Sequence, residues 1–272
     1  MWDNHPLQWP GAARCILGHW KRVGAQPRPL NRSALGIARN VVNLRDRVRF
    51  GSDAEAINSL RDLASQLQAV GTRVPVRDKS DYCGFALTHL VGYASGQLSR
   101  LASLYQAGIE LHAWTARNLF EACLLSECFL QEPSKAREFV AQKASDELQI
   151  NEGFIGLSED PNAPALRPIL ERNNHIRHTL AKHALPEARP WSVSSLAKLT
   201  HNETDYDAFF KLYSKYVHPS SWLVFAAPNE ADTPVLRNIF LVQAQYYGAR
   251  ILKLAQDVSS AQTGSPSEDV DA

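Results

Sequence analysis

The chain predicts an all-α protein, an antiparallel bundle of several helices, and three observations carry that expectation. Apolar residues recur at three- and four-residue intervals through most of the 272 residues. No stretch alternates apolar and polar residues as a half-buried strand does. The breaks between periodic segments fall at glycine, proline or capping residues, the usual punctuation of helices. With 44% hydrophobic residues the chain is long enough to bury one large core.

Residues 1–32 carry Pro6, Pro10, Pro27 and Pro29 with little periodicity, so they are expected to form a flexible arm. The arm and the segment after it are basic: Arg14, Lys21, Arg22, Arg28, Arg32, Arg39, Arg45, Arg47 and Arg49 stand against Asp3 and Asp46. The helical domain is expected over 33–258. Its first helix opens at Ser33 with Leu35, Ala38, Val41, Val42, Leu44 and Val48 at helical spacing. A second follows Ser52, which has Glu55 three residues on in a capping-box pattern, carries the stripe Ile57, Leu60, Leu63, Leu67 and Val70, and stops at Gly71.

From Ser80 a longer helix turns Phe85, Leu87, Leu90, Val91, Leu98, Leu101, Leu104 and Tyr105 inward, with Gly84, Gly92 and Gly96 as points of close approach. After Gly108 comes a helix apolar over most of its circumference, ending near Pro133, which is the pattern of a buried helix. Ser134 is expected to cap a more polar helix to about Glu152. Amphipathic segments follow over 166–183, 191–201 and 205–217, and the last helix spans about 234–258. The tail 259–272 is polar and acidic and is expected to be disordered.

Net charge is +1, so the whole molecule exerts no pull on nucleic acid or anionic lipid beyond what its basic arm supplies. Cys15, Cys83, Cys123 and Cys128 form no Cys-x-x-Cys pair and read as small buried hydrophobes of a reducing compartment. No signal peptide is visible, and the most apolar window, Ala122 to Leu130, is interrupted by Glu127 and far short of the roughly 20 residues of a membrane span. A cytoplasmic protein without membrane contact is expected.

The residues able to carry chemistry cluster in two places. On the central helix Arg117 and Glu121 are one turn apart and Glu110 lies two turns back on the same strip, so a buried polar cluster is predicted there. The second place is the end of the 205–217 helix, where Pro219 disfavours helical geometry at His218 and the helix dipole favours an imidazolium. His218 is the candidate partner of Arg117 and Glu121. Tyr213, Ser214 and Ser220 are the candidate hydrogen-bonding residues around it.

These residues carry a resemblance. The run Ala116 to Glu121, ARNLFE, followed by Tyr213 to Ser220, YSKYVHPS, resembles the bacterial family catalogued as domain of unknown function 5677. The likeness covers about 80–258. It implies an α-helical domain with no assigned reaction, and it marks Arg117, Glu121, Tyr213, Ser214, His218 and Pro219 as motif positions without roles.

Other motifs say less. His175 and His178 share a helix face, as in some zinc sites, but that face points away from the predicted apolar one of Leu166, Ile169, Leu170, Ile176 and Leu180. Arg-x4-6-His spacings, used by metal-independent helical ribonucleases of the HEPN type, occur at Arg14–His19, Arg172–His178 and Arg177–His183, about as often as 9 His and many Arg would produce by composition. None includes His218. Glu-x-x-His, the P-loop, the zincin motif and the nucleophile elbow are all missing, so neither metal nor cofactor is expected.

Two functions follow. The first is a regulatory or interaction module whose Arg117, Glu121 and His218 are buried organisers, with a protein partner or a second copy as its ligand. The alternative is a HEPN-like RNase of a defence or toxin system, in which His218 and Arg117 handle a phosphodiester and Glu121 orients Arg117.

Overall fold

The computed structural model describes residues 48–49, 51–160, 163–185, 188–227 and 230–263. The basic arm, the first predicted helix up to Arg47, Cys15 and the tail beyond Thr263 lie outside them. Every regular element among the described residues is helical: α1 (Asp53–Gly71), α2 (Tyr82–Ser103), α3 (Ile109–Gln131), α4 (Pro133–Gly156), α5 (Arg167–Lys182), α6 (Val193–Leu199), a run over 203–217 treated as α7, α8 (Ser221–Val224) and α9 (Pro234–Thr263). None is long and apolar enough to cross a membrane.

The core is a ring of four helices in which α1 packs on α2, α2 on α3, α3 on α9 and α9 back on α1. The predicted capping box is present, with Glu55 N–H donating to Ser52 Oγ at 3.3 Å and Ser52 N–H to Glu55 Oε2 at 2.9 Å. It satisfies two of the donors that a helix start leaves unpaired. The central helix is α3, fully buried at Ala113, Ala116, Leu119, Phe120, Cys123, Leu124, Cys128 and Phe129.

Hairpin connections make α1, α2 and α3 antiparallel, as predicted, but α9 runs parallel to α3. Arg237 reaches the Ala107 carbonyl before α3, Tyr247 packs on Phe120, and Arg250 bonds Glu127 near the other end. The cause is α7, which descends the outside of α3 and α9, from Asp205 beside Arg250 to Tyr216 against Phe240. It delivers the chain to the level where α3 began, so the last helix can only rise.

Several expectations need correction. Ser134 caps nothing: Glu132 is the N-cap and Pro133 occupies the first turn of α4, where its missing N–H costs no bond. Gly71 is the last residue of α1 rather than a left-handed stop, since no described glycine has positive φ. Gly92 and Gly96 face open space, whereas Gly84 meets the Pro75 carbonyl. Phe85, Leu104 and Leu170 are exposed, not turned inward. α9 continues through Ser259 to Thr263, so the tail is helical that far. His175 and His178 are exposed, as the apolar pattern of their helix required.

One close approach was not anticipated. A Cβ at Gly248 would lie 2.9 Å from Leu63 Cδ2 and 3.0 Å from Leu98 Cδ1, both buried where α1, α2 and α9 meet. Gly248→Val is therefore expected to destabilise by about 2 kcal/mol through overpacking, with Gly248→Ala milder because helix propensity offsets part of the strain. Chemical denaturation of the two variants checks this. Equal stability of Gly248→Val and the parent would show that the three helices do not meet as described.

Candidate functional site

α3 is enclosed by α2, α4, α6, α7 and α9, and one strip of it stays uncovered. Glu110, Trp114, Arg117 and Glu121 follow at intervals of four, three and four residues, the spacing that puts side chains one above another. Glu110 and Trp114 are exposed and Arg117 and Glu121 half-buried, their side chains 21% and 32% exposed. Of the predicted cluster, Arg117 and Glu121 pair, at the surface in the gap beside α7 and not in the interior. A helix can be apolar nearly all round and still present its few charges to water, because neighbours pack only on its apolar sides.

Arg117 Nε donates to Glu121 Oε1 at 2.9 Å, and Arg117 Nη1 lies 3.4 Å from His218 Nε2, a residue 101 positions away. Beneath the guanidinium lies the ring of Phe210, its centroid 4.8 Å from Cζ, a cation–π contact that fixes the plane of the group. Phe210 rests in turn on Phe120, whose ring packs against Tyr247. A guanidinium can only donate, so taken as a hydrogen bond this contact has Nε2 accepting, in the tautomer with its proton on Nδ1. That is the form of imidazole that acts as a base.

Local structure explains the placement of His218. The run over 203–217 contains a π-helical turn, Tyr206–Phe210, in which Tyr206 and Phe210 stack at 5.1 Å. The extra residue in such a turn shifts the register downstream, and Tyr213 and Tyr216 are the buried residues that follow it. At the end of α7 His218 is extended, with φ −120° and ψ 151°, as Pro219 demands. It is exposed.

The other candidates part company with this group. Glu110 is two turns along α3, about 10 Å from Arg117 by the helical rise. Tyr213 is fully buried, its hydroxyl donating to Gln243 Oε1 at 2.5 Å, so it is a core residue. Ser214 donates back to the Phe210 carbonyl at 2.9 Å. Ser220 is the N-cap of α8, accepting from Leu223 N–H and donating to the Lys215 carbonyl.

A second polar cluster, unforeseen as a whole, is the buried one. Arg250 on α9 bonds Glu127 on α3 and, at 3.0 Å, Asn202 Oδ1, with Asp205 3.9 Å away. The Arg250 and Glu127 side chains are 17% and 15% exposed. Asn202 also donates to Glu127 Oε2 at 2.8 Å and to the Thr200 carbonyl at 2.9 Å. Burial alone works against the charge on Arg250, but the Cys123 thiol, Glu127, the Tyr246 phenol and Asp205 around it hold its pKa well above the ordinary value. Every charged group here has its partner inside the cluster, so it joins α3, α9 and the start of α7 and offers nothing to a ligand. Glu127 interrupting an apolar window was its visible signal. Arg250, between Tyr246, Tyr247, Ile251 and Leu252, was the other.

Cys83, Cys123 and Cys128 are free thiols. Burial pushes the Cys128 thiol up to about 11 and Cys123 higher, which makes them unreactive. Comparison of the chain with protein-family models, curated proteins and solved structures found no match.

Proposed function

We propose that Arg117, Glu121 and His218 form an open phosphodiester site and that the protein is a metal-independent RNase of HEPN-like kind, acting in a reducing cytoplasm. The observation that carries this reading is the 3.4 Å approach of Arg117 Nη1 to His218 Nε2 in a solvent-facing gap. Organisers of a buried core would be enclosed, and these three are not. The family resemblance adds the motif positions Arg117, Glu121 and His218 and no chemistry.

The chemistry needs no other group from the chain. When RNA enters, the guanidinium turns from His218 to the phosphate and frees the one Nε2 lone pair, which removes the proton of the 2′-hydroxyl so that the 2′-oxygen attacks the adjacent phosphorus. The bond from phosphorus to the 5′-oxygen breaks, that oxygen takes a proton from water, and the imidazolium returns its proton to the hydroxide left behind. The products are a 2′,3′-cyclic phosphate and a free 5′-hydroxyl. Arg117, held by Glu121 and Phe210, stabilises the negative charge that builds on the phosphoryl oxygens.

The test is incubation of the protein with RNA in the presence of a chelator, beside His218→Ala. Cleavage by the parent, reduced about 100-fold or more in the variant, is the expected result. Intact RNA in both would defeat the reading. It would leave the interaction module, which has its own support in Trp222, Val224 and Phe225, all exposed on and just after α8 within a few residues of His218. That module would recognise a protein or a second copy through this apolar face.

A further inference from the structure

We infer that Trp114 and Arg100 form a stacking subsite for an unpaired nucleobase beside the Arg117–His218 site, an assignment that rests on the phosphodiester reading above. Trp114 is one turn before Arg117 on the uncovered strip of α3 and is 36% exposed, although a tryptophan gains more than most residues from burial. Arg100 crosses from α2, its Cζ 5.4 Å from the Trp114 ring centroid. Trp114 keeps a third of its surface open to water, and Arg100 is exposed with no ion-pair partner among the described residues.

The chemistry of this pair selects its ligand. An indole and a guanidinium plane, held together but open to solvent, offer the two surfaces on which nucleobases stack, and the guanidinium adds positive charge toward a phosphate. Tyr93, also exposed, stands on the same side of α2, close enough to Arg100 and Glu121 for both charges to act on its phenol. The uncovered surface thus carries Arg100, Trp114, Arg117 and His218, with Glu121 neutralised by Arg117 and Glu110 at the far end of the strip. Base faces are hidden in a duplex, so the subsite engages single strands. It would seat one base a helical turn along α3 from Arg117 and so hold the backbone against Arg117 and His218.

The test uses a fluorescein-labelled oligouridine and a blunt RNA duplex of equal length, with the full chain carrying His218→Ala to prevent cleavage. Fluorescence anisotropy is expected to show that Trp114→Leu weakens single-strand binding about tenfold or more. Trp114→Phe should recover most of it, because the ring face and not bulk is what the base uses. Arg100→Gln is expected to weaken it several-fold. Trp114→Leu binding the single strand as tightly as Trp114→Phe would overturn the subsite, as would a preference for duplex. Should Trp114→Leu fail to fold, Trp114→Phe against Arg100→Gln still decides, since unchanged affinity in Arg100→Gln refutes the pair. Single-strand binding that depends on Trp114, without cleavage by the His218-containing protein, would sink the RNase reading and leave the subsite. Cleavage indifferent to Trp114 would do the reverse.

Discussion

Replacing Arg250 by alanine is expected to cost about 3–5 kcal/mol, the usual cost of leaving a buried charge without its partner. The guanidinium bonds Glu127 and Asn202 and lies near Asp205, so its removal strands at least one carboxylate in a mostly buried place. For a domain of this size that is a fall of roughly 10 °C in the unfolding midpoint, read by calorimetry. The pair Arg250→Met with Glu127→Met should recover most of the loss, because both charges go together. Asn202 would keep the Thr200 carbonyl and Asp205 the Tyr247 hydroxyl. A double variant no more stable than Arg250→Ala would show that the cluster contributes through its charges and not merely through mutual compensation.

Phe120→Ala is expected to destabilise by about 3–5 kcal/mol, since it opens a cavity at a fully buried aromatic position. Its effect should reach the site. Phe120 lies between Tyr247 and Phe210, and Phe210 carries the Arg117 guanidinium. Phe120→Leu, which fills much of the volume, should cost only about 1 kcal/mol. Denaturant midpoints measure the first effect. On the RNase reading proposed above, the second is measured as RNA cleavage at a temperature where both variants are folded, with Phe120→Ala falling well below Phe120→Leu. Equal cleavage would mean that Arg117 is held by Glu121 alone.

Both predictions concern features unequally visible in the chain. The periodic stripe of α1, its capping box and the apolar circumference of α3 depend on neighbours in sequence, and they were legible there. So was the pairing of Arg117 with Glu121, one turn apart. The approach of His218 to Arg117 was only a candidate, because it depends on α7 descending along α3 and on the π-helical turn that sets its register. The spacing predicts that the strip of Arg117 faces the core, whereas the structure turns it to water. Helical spacing says which residues share a face, and nothing about which face the rest of the molecule covers. Trp114 carries no signal in the sequence for the same reason, since an aromatic residue on a helix apolar nearly all round has the pattern of core.

By itself the sequence determined the helices, their order and most of the core, because propensity, capping and amphipathic spacing act over one or two turns. Only the tertiary structure decided that α9 rises parallel to α3, that Arg250 closes a buried cluster, and that Arg117, Glu121 and His218 meet at an open surface. Those outcomes are set by which apolar faces cover one another, a choice made between segments a hundred residues apart and encoded in no short stretch of the chain.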